Sequence, residues 1–194
     1  MSTDVPARRY AKGESKRREI LDAALSVVAA HGYRNSTLQE IAEAVALTKA
    51  GVLHYFDSRE DLMAQVLRER DLLDGIAYTP ADGDSITQLR RTVEHNRSVP
   101  GLVQLYSRVV VEAEAPEHAA HAYVGERYDR LVDSLAEGVS RRQQGGTVRA
   151  DLDPVTAARI AIALSDGLQL QWLHDQSFDL SAVFDAAMAL LLDP

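Results

Sequence analysis

Thr48, Lys49, Ala50, Gly51, His54 and Tyr55 fall within one eight-residue stretch and combine the donors, the cation and the small surfaces that nucleic-acid recognition needs. Lys49 can reach a base edge or a phosphate, and the Thr48 hydroxyl can cap a helix and meet a phosphate. Ala50 and Gly51 let a backbone approach the bases, with the Ala methyl against a thymine methyl. His54 and Tyr55 offer polar tips beside the backbone. Each residue also has a plain reading as a cap, a solvated cation or ordinary helix packing. A second basic group, Arg8, Arg9, Lys12, Lys16, Arg17 and Arg18, stands ahead of the first apolar helix, where it can lie along phosphates or enter a minor groove.

A different chemistry is suggested further along. A ligand pocket needs a mostly apolar wall with a few polar anchors. The candidates for those anchors are His95, Asn96, Gln104, Tyr106, Arg108, Tyr123, Tyr128, Gln169 and Trp172. Any one of them reads equally as a core aromatic with a satisfied tip or as a surface residue. Glu114, Glu117, His118 and His121 have metal-ligand types, but Pro116 interrupts their geometry and no thiolate supports a tight site, so no metal is expected. No Gly-rich phosphate loop and no nucleophile elbow is present. Nothing favours catalysis, and no cofactor is expected.

The elements that must position these residues can be read from caps and apolar spacing. Thr37 with Glu40 forms a capping box, Thr48 sits where a second N-cap would sit, and Ser58 with Asp61 repeats the pattern. Leu38, Ile41, Ala42 and Val45 give a first short helix one apolar face, and Leu47, Val52 and Phe56 continue it through a second. Two short helices joined by a tight turn make a helix-turn-helix, whose second helix enters the major groove. Ahead of them, residues 1–12 read as a flexible arm, and a helix from about Ser15 carries Ile20, Leu21, Ala24, Leu25 and Val28 and stops at Gly32. Beyond them a helix starts after Ser58, with Leu62, Met63, Val66 and Leu67 inward, and frays near Asp74-Gly75. Tyr78 to Asp84 is a turn-rich break, the strongest boundary signal in the composition. Further helices are expected from Asp84 or Ser85 to Val99, from Pro100 to Val111, and from Pro116 toward Gln144. The last two run from Asp153-Pro154 through Ile160, Leu164, Leu168 and Trp172, and from Leu180 to Leu192. No segment alternates long enough to be a strand, so the chain is all-α.

Composition narrows the partners. The net charge of −8 is unevenly distributed: residues 1–60 hold nine Lys/Arg against eight Asp/Glu, and residues 61–194 hold twelve against twenty-one. All three lysines, Lys12, Lys16 and Lys49, lie in the first segment. This is the asymmetry of a DNA-reading head on an acidic body. With no cysteine, disulfides and Cys nucleophiles are excluded. The opening Met1-Ser2-Thr3-Asp4-Val5-Pro6 has no apolar signal core, and the run Ala186 to Leu192 is too short to cross a bilayer, so a cytoplasmic protein without a membrane partner is expected.

The helix-turn-helix, with Thr37-Leu38-Gln39-Glu40-Ile41-Ala42 and then Leu47-Thr48-Lys49-Ala50-Gly51-Val52-Leu53-His54-Tyr55-Phe56-Asp57-Ser58-Arg59-Glu60-Asp61-Leu62, resembles the DNA-binding head of TetR-type (tetracycline-repressor-like) transcriptional regulators over the first third of the chain. Gly146 to Pro154 is similar to a loop before that family's penultimate helix. The resemblance implies phosphate contacts from Tyr55, Thr37 and Arg59, and a homodimer through the last two helices. Two residues depart from the family pattern. Ala46 stands where Gly is usual at the inter-helix turn, and a left-handed conformation would cost it about 1 kcal/mol, so an adapted turn is expected. Leu53 stands where Tyr is frequent.

The expected architecture is an N-terminal arm and three-helix helix-turn-helix head over residues 1–57, and a C-terminal helical ligand-binding and dimerisation bundle over residues 58–194. The expected function is a homodimeric regulator, a repressor released from a palindromic double-stranded DNA operator by a small-molecule effector. The competing readings are a helical ligand carrier and a protein-interaction module, each with a non-functional DNA-binding head.

Overall fold

The computed structural model describes residues 5–193, and side chains over residues 13–193. The described residues form nine α-helices: α1 (Val5–His31), α2 (Leu38–Ala44), α3 (Lys49–Val52), α4 (Arg59–Tyr78), α5 (Ser85–Asn96), α6 (Pro100–Glu112), α7 (His121–Gln144), α8 (Pro154–His174) and α9 (Leu180–Leu192). The chain is all-α, a helix-turn-helix head followed by a helical bundle.

Local chemistry sets most boundaries. Gly32, at φ +77°, ends α1 in a conformation that suits glycine. Thr37 accepts from the Glu40 N–H while Glu40 accepts from the Thr37 N–H, closing the capping box of α2. Thr48, Ser58, Asp84 and Asp153 cap α3, α4, α5 and α8 by accepting the N–H three residues on; each such cap contributes about 1 kcal/mol.

Four expectations about extent are corrected. Helix α1 begins at Val5, so residues 5–12, expected as an arm, have helical backbone; Pro6 suits a first helical turn, where a missing N–H costs nothing. Helix α4 continues past Gly75 to Tyr78, and Pro80 then disfavours helix at Thr79. Helix α5 ends at Asn96 rather than Val99, because residues 97–99 form the turn that leads into Pro100. Helix α7 begins at His121, and residues 113–120, with Pro116 among them, form successive turns.

Two apolar clusters hold the molecule. The first joins Ile20, Ala24 and Val28 of α1, Ile41 and Val52 of the helix-turn-helix, Phe56 of the turn after it, Leu62, Met63, Val66 and Leu67 of α4, Leu105 and Val109 of α6, and Tyr123 and Val124 of α7. The second joins α5, α7, α8 and α9 through Val93, Leu135, Val139, Ala158, Trp172, Leu180 and Phe184. Helix α6 lies flush on the end of α1: a Cβ on Gly101 would fall 2.1 Å from the Val28 carbonyl oxygen and 3.1 Å from the Gly32 Cα, so only glycine allows this approach. Helix α8 is rotated from its expected stripe. It buries Ala157, Ala158, Ala161, Ile162, Ser165, Gln169 and Trp172, while Ile160 faces solvent. Its small residues permit close packing on α7.

Candidate functional site

The turn between α2 and α3 retains the left-handed conformation. Ala46 has φ +53°, and the Leu47 N–H donates to the Ala42 carbonyl at 2.8 Å while the Ala46 N–H donates to Glu43 at 3.2 Å. This is the Schellman pattern, with alanine in the place glycine fills at less cost. The Lys16 ammonium donates to the Val45 carbonyl at 2.8 Å, so a cation of α1 steadies the same turn. Held this way, α3 buries Val52 beneath it and is anchored by Phe56, each contributing about 2 kcal/mol. Thr48, Lys49, Ala50, Leu53 and His54 are left exposed, with Gly51 and Tyr55 half-buried.

The residues expected at phosphates are differently engaged. Thr37 is exposed beside the start of α2. Arg59 donates to the Tyr33 and Ser36 carbonyls at 2.9 and 3.2 Å and to the Tyr33 hydroxyl at 3.2 Å, and it stacks over the Tyr33 ring. It therefore clamps the loop ahead of α2. Lys16 is committed to Glu19 and to the turn. Lys49 makes no ion pair among the described residues. Arg8, Arg9 and Lys12 lie outside the residues whose side chains are described.

A cavity of about 520 Å³ opens among α4, α5, α6, α7 and α8, within the range of small-molecule sites. Asn96, Tyr106, Tyr123 and Gln169 line it, and Tyr128 stands behind, its hydroxyl 3.1 Å from that of Tyr106. Four of the anticipated anchors are elsewhere. His95 stacks on Tyr78, Gln104 abuts Gly32, Arg108 is exposed on the outer face of α6, and Trp172 is packed in the second apolar cluster.

The sequence reading missed the charged lining. Arg127 pairs with Asp71 at 2.6 Å, and Asp71 also accepts from the Tyr123 hydroxyl. Asp166 accepts from Tyr106 at 2.9 Å and from Tyr128 at 3.0 Å. Arg70 donates to the Leu102 carbonyl at 2.8 Å and to Asn96, which donates on to Gln169, while its Nε faces Asp74 at 3.3 Å. A signal existed: Arg70 continues the inward stripe of Met63, Val66 and Leu67, and Asp166 is the only acidic residue within α8. Burial pushes the Asp166 and Asp74 carboxyls above the ordinary carboxylate range, with the phenols and Arg70 respectively opposing it. Burial also lowers Arg70 and raises the Tyr106 and Tyr123 phenols.

His118 and His121 serve the turn before α7: the His118 Nδ1 accepts from the Ala120 N–H, and the His121 Nδ1 lies 2.8 Å from the Ala113 carbonyl oxygen. Among the described residues no three His, Asp or Glu side chains are grouped to hold a metal ion, and no helix is long and apolar enough to cross a membrane.

Residues 20–66 match the family model described as bacterial regulatory proteins of the tetR family, and residues 101–194 match that of the MftR C-terminal domain. The chain is 27% identical to the HTH-type transcriptional regulator AcrR of Shigella flexneri, over 94% of this chain and 90% of AcrR. It is 33% identical to the HTH-type transcriptional repressor KstR2 of Rhodococcus jostii, over 34% of this chain and 32% of that protein. The fold is shared with the crystal structure of the regulatory protein TetR from Rhodobacter sphaeroides at a TM-score of 0.69 and 19% identity, over 90% of this chain and 97% of that one. With the capped helix-turn-helix and the helical body behind it, these matches establish that the chain belongs to the TetR family of DNA-binding transcriptional regulators.

Proposed function

We propose that this chain acts as a homodimer on a palindromic operator, as a repressor released when a small molecule fills the cavity among α4 to α8. Residues 1–57 are the DNA-reading head and residues 58–194 the sensing and dimerising body. The observation that carries the reading is the exposed face of α3 and of the turn after it, where Lys49, Ala50 and His54 stand clear of the protein over buried Val52 and Phe56. In the groove, Lys49 meets a base edge or phosphate, while Thr37, Thr48 and Tyr55 reach phosphates. Arg59 supports them through the loop it clamps.

The dimer is supported by apolar surface that one copy leaves in water. On α8, Ile160 and Leu170 are exposed, and on α9, Val183 and Leu190 are, the last at 85%. A four-helix interface between two copies would bury all four. Two heads then dock only where half-sites lie about 34–36 Å apart or a multiple of it. A ligand that prefers the wrong head spacing lowers operator affinity by its differential affinity for the two states.

The test is selection of genomic fragments by the purified protein, repeated at two salt concentrations. Enrichment of one palindrome, with affinity falling steeply with salt, is the expected result. Weak binding to all DNA with no enriched site would overturn it in favour of a carrier or an interaction module.

A further inference from the structure

The polar groups around the cavity are engaged unequally. Four guanidinium groups and three carboxylates line it: Arg68, Arg70, Arg127, Arg130, Asp71, Asp74 and Asp166. The inner groups answer one another. Arg127 holds Asp71, Arg70 faces Asp74, and Asp166 takes the hydroxyls of Tyr106 and Tyr128. Arg68 and Arg130 remain. Arg68 has no carboxylate partner among the described residues. Arg130 has Glu126 at 3.7 Å, a pair in which both side chains are at least 60% exposed, and such pairs contribute little.

These two cations are positioned together. The Arg68 guanidinium, from α4, and that of Arg130, from α7, lie 4.7 and 5.8 Å from the centroid of the Tyr123 ring. Tyr123 is itself fixed by its hydrogen bond to Asp71. Both guanidiniums, on exposed side chains, therefore lie against one ring at the lip of the cavity. The remaining wall is largely apolar, formed by Leu89, Leu131, Leu135 and Ile162.

We propose that the effector is an amphiphilic anion, its carboxylate or phosphate held between Arg68 and Arg130 and its uncharged apolar part laid on Leu89, Leu131, Leu135 and Ile162. This deepens, and rests on, the reading of the cavity as the effector site. The sign follows from what is already paired: the inner carboxylates have partners, whereas the lip carries uncompensated positive charge. A guanidinium fork fits both carboxylate and phosphate oxygens. A cation of the same shape meets repulsion at the entrance, and a neutral ligand leaves the two like charges unanswered.

The experiment is calorimetric titration of the full chain with four probes sharing a ten-carbon tail: decanoate, decyl phosphate, decanol and decyltrimethylammonium. Decanoate or decyl phosphate is expected to bind at least tenfold more tightly than the other two, and the ratio between them identifies which anion is preferred. The double variant Arg68→Gln with Arg130→Gln, both surface positions, is expected to lose tenfold or more for the anions and little for decanol. Equal binding of decanol or of the cation, unchanged anion affinity in the double variant, or no binding of any anion would each overturn the proposal. A third variant, Leu135→Trp, checked for folding by its thermal melt, separates the two readings. Anion binding that survives it undiminished places the anion outside the cavity and sinks the effector-site reading. Loss of decanol binding in Leu135→Trp, without any charge preference in the wild type, sinks only the anion.

Discussion

The Tyr33 hydroxyl donates to the Glu112 carboxylate at 3.1 Å, joining the loop ahead of the helix-turn-helix to the last residue of α6. The same hydroxyl accepts from Arg59, at the first residue of α4. Helix α6 also carries the Leu102 carbonyl held by Arg70 and the Tyr106 hydroxyl held at Asp166. One helix therefore reaches both the cavity and the head. Glu112→Ala should lower stability by about 1 kcal/mol in urea denaturation. In that background Tyr33→Phe should cost clearly less than it does alone, since the two residues share one bond. Strictly additive losses would show that the contact contributes nothing.

Lys49 is exposed on α3, on the face proposed to read DNA. Lys49→Ala should weaken operator binding by about 1–3 kcal/mol and, if the contact is to a phosphate, lower the salt slope by about one. Fluorescence anisotropy over a salt series reads both, and sedimentation should show the same oligomer. Unchanged affinity would remove Lys49 from the interface.

Ala46 is strained at φ +53°. Ala46→Gly should stabilise the chain by about 0.5–1 kcal/mol, the relief of the left-handed alanine less the added freedom of the unfolded chain. Thermal or urea unfolding measures it, and a destabilised variant would mean that the Ala methyl packs favourably in the turn.

Leu170 and Leu190 are exposed on α8 and α9. Leu170→Glu combined with Leu190→Glu should yield a monomer at micromolar concentration in analytical ultracentrifugation, with helical content retained. It should also abolish tight operator binding. A dimer that persists would place the interface elsewhere.

Burial raises the Asp166 carboxyl, so the folded chain holds that proton more tightly than the unfolded chain does. Its contribution favours folding fully below the ordinary carboxylate range and is lost as pH rises through the raised value. Asp166→Asn removes this dependence. Its stability relative to wild type should be greatest near neutral pH and should fall as pH is lowered through the raised value. Denaturation at a series of pH values gives the difference, and an advantage that grows on acidification would reverse the sign.

The legible features were those set by neighbours in the chain. Thr37 with Glu40, and Thr48, announce helix starts within three residues, and Ile41, Val52 and Phe56 show their inward face at helical spacing, so the helix-turn-helix could be read directly. The cavity could be read only in part. Asn96, Tyr106, Tyr123 and Gln169 line it, but nothing in local spacing distinguishes them from His95, Gln104, Arg108 and Trp172, which do not. Helix α8 shows the same limit from the apolar side: Ile160 and Trp172 look alike as members of a stripe, yet packing of Ala157, Ala158 and Ala161 turns Ile160 outward and Trp172 inward.

By itself the sequence determined an all-α chain, its capped helices and a near-neutral helix-turn-helix head on an acidic body, because caps, periodicity and charge act over a few residues. The tertiary structure alone decided that Arg127 meets Asp71 across 56 positions and that Tyr106 meets Asp166 across 60, and with them the shape and charge of the cavity. Those pairings depend on how each helix is rotated and crossed against its neighbours, and that is settled by packing the whole core at once.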